Sequence, residues 1–340
     1  VTVREPACYN PRYASLLHSS VQIFHYEKIM ILVTGGTGFI GKILISQLTE
    51  LGYPVRTLVR PSPRTPDLPR KVPVEIAVTS LADARGLRAA LVGVDTIYHL
   101  VSGEWKGPRA SLLEVDIQGT RAIVQAAMDA GVKRIFYVSH LGADRASAYP
   151  VLKAKGIAEE FIRRSGLEYT IIRSALAYGQ GDAFTSGIAG ILQTVPYFFP
   201  VPGDGRTLLQ PIWVQDLVTC LVWALDDRGT INRSYEIGGP EYFTFSQVVE
   251  TVMQTVQIKR KLLFMRPPYL RVLTIGLDAL FPTLPVSVYW LEYLASNRTC
   301  SLDTIPREFK LLPARFSQQL GYLQGKNWRS AMLKSLWERN

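Results

Sequence analysis

Residues 34–41 read Thr-Gly-Gly-Thr-Gly-Phe-Ile-Gly, directly after the apolar run 30–33 and directly before the helical pattern 42–48. A strand that turns through closely spaced glycines into a helix brings backbone N–H groups and the positive end of the helix up to a phosphate. Gly35 permits the tight turn, Gly38 lets the backbone approach a pyrophosphate, and Gly41 lets the helix lie close on the strand. Thr37, Phe39 and Ile40 complete the loop that would hold it. About 20 residues on, where a site that reads an unmodified ribose carries Asp or Glu, the apolar run 55–59 ends instead in Arg60, with Arg64 behind it. Guanidinium donors there would neutralise and hydrogen-bond a 2′-phosphate. The two segments together predict dinucleotide binding, with NADP(H) preferred and NAD(H) the alternative.

Such a turn needs a sheet to carry it. Apolar runs at 55–59, 74–78, 96–101, 134–139 and 169–172 alternate with helical periods at 81–91, 111–130 and 151–165. This alternation predicts an α/β protein with a Rossmann-type doubly wound parallel sheet and a smaller C-terminal lobe. The core is expected over 30–182 and the lobe over 183–325, with segments around 210–240 returning to the core and 326–340 as a tail. Residues 1–29 show no period and read as a disordered leader. Arg4 and Arg12 outnumber the lone early acid Glu5, so organellar targeting stays open beside a cytoplasmic location.

Composition removes several function classes. A chain of 340 residues that is 47% hydrophobic can bury one large core or two unequal ones. The net charge of +10 is scattered, with no zinc-finger or RNA-recognition signature, which argues against nucleic acid. Cys8, Cys220 and Cys300 lie far apart without a CxxC or a His cluster, so neither a disulfide framework nor a metal site is expected. The hydrophobic segment 269–295 is interrupted by Arg271, Asp278, Glu292, Pro282 and Pro285, short of the roughly 18 uninterrupted residues of a spanning helix. Buried helices of the lobe are the favoured reading of that segment. With Lys259, Arg260, Lys261 and Arg266 just upstream, peripheral contact with an anionic membrane or a protein partner is the other.

Several longer stretches carry a family resemblance: VDIQGTRAIVQAA (115–127), RIFYVSHLGA (134–143), YTIIRSALAYGQGD (169–182), PGDGRTLLQPIWVQDL (202–217) and YEIGGPEYFTFSQVV (235–249). With the GxxGxxG spacing they resemble the extended and atypical short-chain dehydrogenase/reductases over 30–323, including the NAD-dependent epimerase/dehydratase branch. Within that superfamily the chain is most similar to the NmrA-like group and to the NADPH-binding accessory subunit of respiratory complex I. The resemblance implies that Ser80 stands where relatives carry an Asp near the adenine, and that Leu100 and Ser102 lie near the adenine and ribose. It also implies a Tyr and a Lys four residues apart on one helix, with an upstream Ser. In such relatives the Tyr moves a proton at a carbonyl or hydroxyl, while the Lys lowers the Tyr pKa and bonds the nicotinamide ribose.

Tyr149 and Lys153 have that spacing, but Pro150 disfavours helical backbone at Tyr149, which should cap the helix instead. At helical spacing Val151, Ala154, Ala158, Phe161 and Ile162 share the apolar face, Lys155 borders it, and Lys153 points away into solvent. Relatives also place a Glu four residues after the Lys, as Lys155 and Glu159 do here, which puts Val151 at the position of the Tyr. Ser139 matches the upstream Ser, and His140 follows it. Either Tyr149 reaches in from the loop to join Lys155 and Ser139 as a catalytic set, or the cofactor is bound without the usual chemistry. The second is favoured: an NADP(H)-binding accessory or redox-sensing protein with weak or no Tyr–Lys catalysis. The alternative is an active oxidoreductase or epimerase acting on an apolar carbonyl or hydroxyl substrate. Arg173 and the loop 179–182 should flank the nicotinamide end, and Asp216 should cap a helix over 217–225.

Overall fold

The computed structural model describes residues 29–104, 111–280, 288–328 and 330. The expected leader (1–29) thus falls outside the described residues except for its last position, as does most of the 326–340 tail.

Seven parallel strands form the central sheet: β1 (Ile31–Thr34), β2 (Val55–Val59), β3 (Glu75–Val78), β4 (Thr96–His99), β5 (Arg134–His140), β6 (Glu168–Ser174) and a late strand, Arg233–Ile237, which becomes β11 in chain order. Their spatial order is β3-β2-β1-β4-β5-β6-β11. Ile31, Leu32 and Val33 are wholly buried because helices cover both faces of a parallel sheet, which is why the first strand reads as an unbroken apolar run. The chain leaves β1 toward β2 on one side and returns as β4 on the other. A crevice therefore opens at the carboxyl ends of β1 and β4, where doubly wound sheets take their ligands.

The covering helices are α1 (Phe39–Glu50), α2 (Ala84–Ala90), α3 (Gly119–Asp129), α4 (Pro150–Arg163) and α6 (Val214–Asp226). A π-helical stretch, Leu113–Gln118, runs directly into α3. The C-terminal lobe has its own core, in which Phe184 and Ile188 of α5 (Phe184–Thr194) meet Phe245 and Val249 of α7 (Phe245–Val256) and Phe316. Its small sheets pair β7 (Ala177–Tyr178) with β10 (Ile212–Trp213), β8 (Phe198–Pro202) with β13 (Lys261–Met265), and β9 (Leu208–Leu209) with β12 (Phe243–Thr244).

Three features depart from the sequence expectations. The fourth strand ends at His99, with the Leu100 N–H making the last ladder bond to the Thr34 carbonyl at 3.2 Å, two residues short of the expected 96–101. Asp216 does not cap a helix: α6 begins two residues earlier, straight out of β10, with Trp213 at its N-cap. Buried in the first turn, Asp216 instead accepts the Ala314 N–H at 2.7 Å and pins the returning C-terminal segment. Finally, α8 (Pro267–Leu280) is buried only in part. Leu270 and Thr274 face inward while Tyr269, Val272 and Ile275 face solvent, and the helix packs beside α9 (Val288–Tyr293). No described helix is long and apolar enough to cross a membrane.

Candidate functional site

The glycine turn is held between three strands. Gly35 has φ +77°, and a Cβ there would lie 3.0 Å from the Leu100 carbonyl carbon, so β1 and β4 meet backbone to backbone. A Cβ on Gly41 would sit 2.2 Å from the Gly35 oxygen, and one on Gly36 only 2.1 Å from the Thr57 hydroxyl. Gly36 was not singled out from the sequence; its requirement comes from β2, whose Thr57 hydroxyl donates to the Val33 carbonyl at 3.0 Å. Gly38 is the N-cap of α1 with no side-chain cap and no acid in the following turn. Thr37 and Gly38 are exposed while Phe39 and Ile40 are half-buried, leaving the helix N-terminus available to an anion.

Around this turn, Arg60 and Arg64 are exposed just past β2. Ser80 is half-buried; its carbonyl accepts the Asp83 N–H at 3.1 Å, and Asp83 in turn caps α2 through the Arg85 and Gly86 N–H groups. Leu100 and Ser102 lie on the strand-end loop after β4, where the Ser102 hydroxyl accepts the Glu104 N–H at 3.4 Å.

The second half of the crevice centres on Lys155. This residue is buried on α4, whereas Lys153 is exposed. Its Nζ lies 3.3 Å from Asp116 Oδ1 and over the Tyr137 ring, 5.3 Å from the centroid. Burial penalises the ammonium, but the Tyr137 hydroxyl, Asp116 and Glu104 outweigh it and hold the Lys155 pKa above its ordinary value. The same burial pushes the Tyr137 hydroxyl up. Asp116 comes from the π-helical stretch, whose wider turn carries it into the core, and its Oδ2 accepts the Gly103 N–H at 2.8 Å.

Behind the pair lies a buried relay. Thr120 donates to the Asp116 carbonyl at 2.6 Å, so toward His99 it can only accept, which assigns the proton of His99 to Nε2. His99 Nδ1 then accepts from Thr34 at 2.7 Å. Burial first and Lys155 second lower the His99 pKa to about 3, keeping the ring neutral.

Tyr149 is the N-cap of α4, in extended backbone (φ −88°, ψ 120°) with Pro150 at the first helical position. Its ring is half-buried, with the Arg298 guanidinium 5.9 Å from the centroid. Val151 occupies the helical position one turn before Lys155 and is half-buried. Ser139, at the end of β5, is buried. Beside it His140 Nε2 meets Glu104 Oε2 at 2.5 Å, and the ring stands edge-on to Tyr293. Arg173 is engaged elsewhere, bidentate on Glu159 at 2.8–3.3 Å and reaching Glu236 at 3.3 Å.

Sequence reading had not singled out Asp116, His99, Glu104 or Tyr137. The motif containing Asp116 was visible, but its inward direction depends on the π turn. No group of three or more His, Cys, Asp or Glu side chains among the described residues is arranged to hold a metal ion.

The residues present fit a dinucleotide. A backbone cradle that admits no Cβ opens on a bare helix N-terminus at one end. At the other end the buried Lys155 ammonium lies against Asp116 Oδ1 and over the Tyr137 ring, and, among the described residues, the buried Ser139 hydroxyl has no hydrogen-bond partner. The model of the NAD(P)H-binding family matches residues 35–183, from the glycine turn through β7 to the start of α5. Residues 35–183 are an NAD(P)H-binding domain.

Over a longer stretch, the chain is 26% identical to an Arabidopsis thaliana protein, the mitochondrial NADH dehydrogenase [ubiquinone] 1 alpha subcomplex subunit 9, covering 85% of this chain and 77% of that protein. It is 27% identical to the NAD(P)H azoreductase of Xenophilus azovorans, covering 64% of this chain and 71% of the azoreductase. Its fold is that of an epimerase of Methanothermobacter thermautotrophicus, with TM-score 0.71 and 16% identity over 92% of this chain and 95% of the epimerase.

Proposed function

We propose that the protein holds NADP(H) in this crevice without the Tyr–Lys proton transfer of its resemblance family, as a cofactor-bearing accessory or redox-sensing member of a larger assembly. The observation that carries this reading is Val151. It stands one helical turn before the buried Lys155, and an aliphatic side chain cannot move a proton. Asp116 strengthens it, because an ammonium already matched by a buried carboxylate acts less on a neighbouring hydroxyl. Tyr149 is placed as a cap, with Arg298 over its ring. The Arabidopsis relative, a subunit of a mitochondrial NADH dehydrogenase, supports the accessory role and an organellar location as the alternative to a cytoplasmic one.

Preference for NADP(H) over NAD(H) rests on Arg60 and Arg64 beyond β2. Lys155 and Ser139 would meet the ribose at the other end, with Leu100, Ser102 and Ser80 along the adenine side. When bound, the dinucleotide supplies a hydride donor or acceptor; these residues bind and orient it.

One observation favours a second reading, an NADPH-dependent reductase or epimerase of an apolar substrate. His140, oriented by Glu104 at the end of β5, is a proton carrier in the same crevice, and one relative is named an azoreductase. The readings part on two measurements. NADPH should raise the melting temperature more than NADH at equal concentration; equal shifts would refute the cofactor preference. Absorbance of bound NADPH should persist over hours with a panel of carbonyl, quinone and azo compounds. Turnover that Tyr149→Phe abolishes would overturn the non-catalytic reading, and turnover lost only in His140→Gln would establish the second.

A further inference from the structure

We infer that α8 and the adjoining strand β13 form a docking surface for an anionic lipid bilayer. The starting observation is a helix that is apolar on the wrong side. Tyr269, Val272 and Ile275 are 64%, 72% and 52% exposed, and their spacing sets them along one face of α8, away from the inward Leu270 and Thr274. A helix that merely closes a lobe presents polar residues to solvent, whereas contiguous exposed apolar side chains mark a contact site.

In β13, which ends one residue before α8 begins, Leu263 and Phe264 are also exposed, on opposite faces of the strand. The strand reaches Tyr197 through the Lys261 N–H, which donates to the Tyr197 carbonyl at 3.0 Å. Tyr197 is 82% exposed at φ +70°, a left-handed conformation that a bulky side chain rarely adopts, so the backbone holds this ring outward at a conformational cost.

Charge selects the occupant. Between Gln257 and Gly276 the chain carries Lys259, Arg260, Lys261, Arg266 and Arg271 and no acidic residue, and of these Arg271 is paired with Glu292 of α9 at 3.8 Å. Lys259, Lys261 and Arg266 are exposed, while Arg260 is half-buried and donates to the Val195 carbonyl at 3.0 Å. A basic rim around exposed aliphatic and tyrosyl side chains matches a bilayer whose headgroups are anionic and whose interface accepts apolar and aromatic groups. A second copy of this chain would bring the same positive rim against itself. The inference stands on this surface alone and does not depend on the reading of the crevice.

The test is vesicle co-sedimentation of the full chain. Vesicles of phosphatidylcholine with phosphatidylglycerol should carry the protein down at low salt, and phosphatidylcholine alone should not. Raising the salt should release it, since exposed charges are screened. Lys261→Ala with Arg266→Ala should weaken binding about 30-fold, at roughly a tenfold or smaller factor per basic residue near the surface. Val272→Glu with Ile275→Glu should abolish it at any salt while leaving the NADPH-induced rise in melting temperature intact. A cooperative melting transition like that of wild type reports that each variant is folded; should the Glu pair lack it, Val272→Ser with Ile275→Ser serves instead. Wild-type protein that stays in the supernatant, or variants that sediment as well as wild type, would overturn the inference. So would a dimer in size-exclusion chromatography that the Val272 and Ile275 changes dissociate, which would assign the face to a second copy.

Discussion

The two halves of the crevice are built on different principles. On the β1–β2 side the site is made of backbone: Gly35, Gly36 and Gly41 are required because Leu100, Thr57 and the turn itself occupy the space a side chain would need. On the β5–α4 side it is made of individual buried side chains, with Asp116 and Tyr137 against Lys155, His99 on Thr120, and Ser139 buried nearby in the chain at the end of β5. A backbone cradle persists as long as the fold does. A proton-transfer site depends on single residues, and in the function proposed here the one at 151 is decisive. The two halves thus rest on different parts of a single Rossmann core.

The largest expected effect tests the side-chain half. Asp116→Ala would strand the buried Lys155 ammonium and should cost about 3–5 kcal/mol of stability in urea denaturation. Asp116→Asn, which keeps an acceptor for the Gly103 N–H, should cost less. If both are neutral, the pair is not what holds α4 to the π-helical stretch. Next comes the backbone half: Gly41→Ala drives a Cβ into the Gly35 carbonyl, and about 3 kcal/mol is expected, together with loss of the NADPH-induced thermal shift. A folded Gly41→Ala protein that still binds NADPH would break the distinction drawn between the halves.

Two smaller effects sharpen it. His99 has its pKa lowered to about 3 from an ordinary 6.5, so its contribution to stability is full above about pH 6.5 and is lost as the pH falls below that. Asp216, raised to about 6 by burial, acts in the opposite direction: its contribution is present at low pH and is lost as the pH rises through about 6. His99→Gln should therefore flatten the acid limb of a stability profile, and Asp216→Asn should raise stability above pH 6. Smallest, Arg60→Ala should weaken NADPH binding about tenfold and leave NADH unchanged, as expected for one exposed charge-assisted contact. Titration of both cofactors by fluorescence checks it; equal losses would make Arg60 a surface residue with no part in selection.

What could be read in advance follows the same division. The glycine spacing, the strand run before it and the helix after it are local, and they describe the cradle. Pro150 sets Tyr149 at a helix cap and helical spacing turns Lys153 outward, and both follow from the neighbouring residues alone. Gly36 escaped notice because its constraint is Thr57, on another strand. Asp216 looks like a cap from its neighbours alone, because its partner, Ala314, lies 98 residues away. The outward stripe of α8 could not be told from a buried one, since both faces of that helix carry apolar residues and only packing decides which is covered.

The sequence by itself determined the doubly wound sheet, the dinucleotide turn and the family resemblance, because periodicity, glycine placement and motif order are properties of short stretches of chain. Only the tertiary structure decided that Lys155 is matched by Asp116, that His99 is held neutral, that His140 faces Glu104, and that α8 presents an apolar face to solvent. The physical reason is that charge state and exposure depend on what distant segments bring into contact, and a buried ion pair or an uncovered face exists only once those segments have packed.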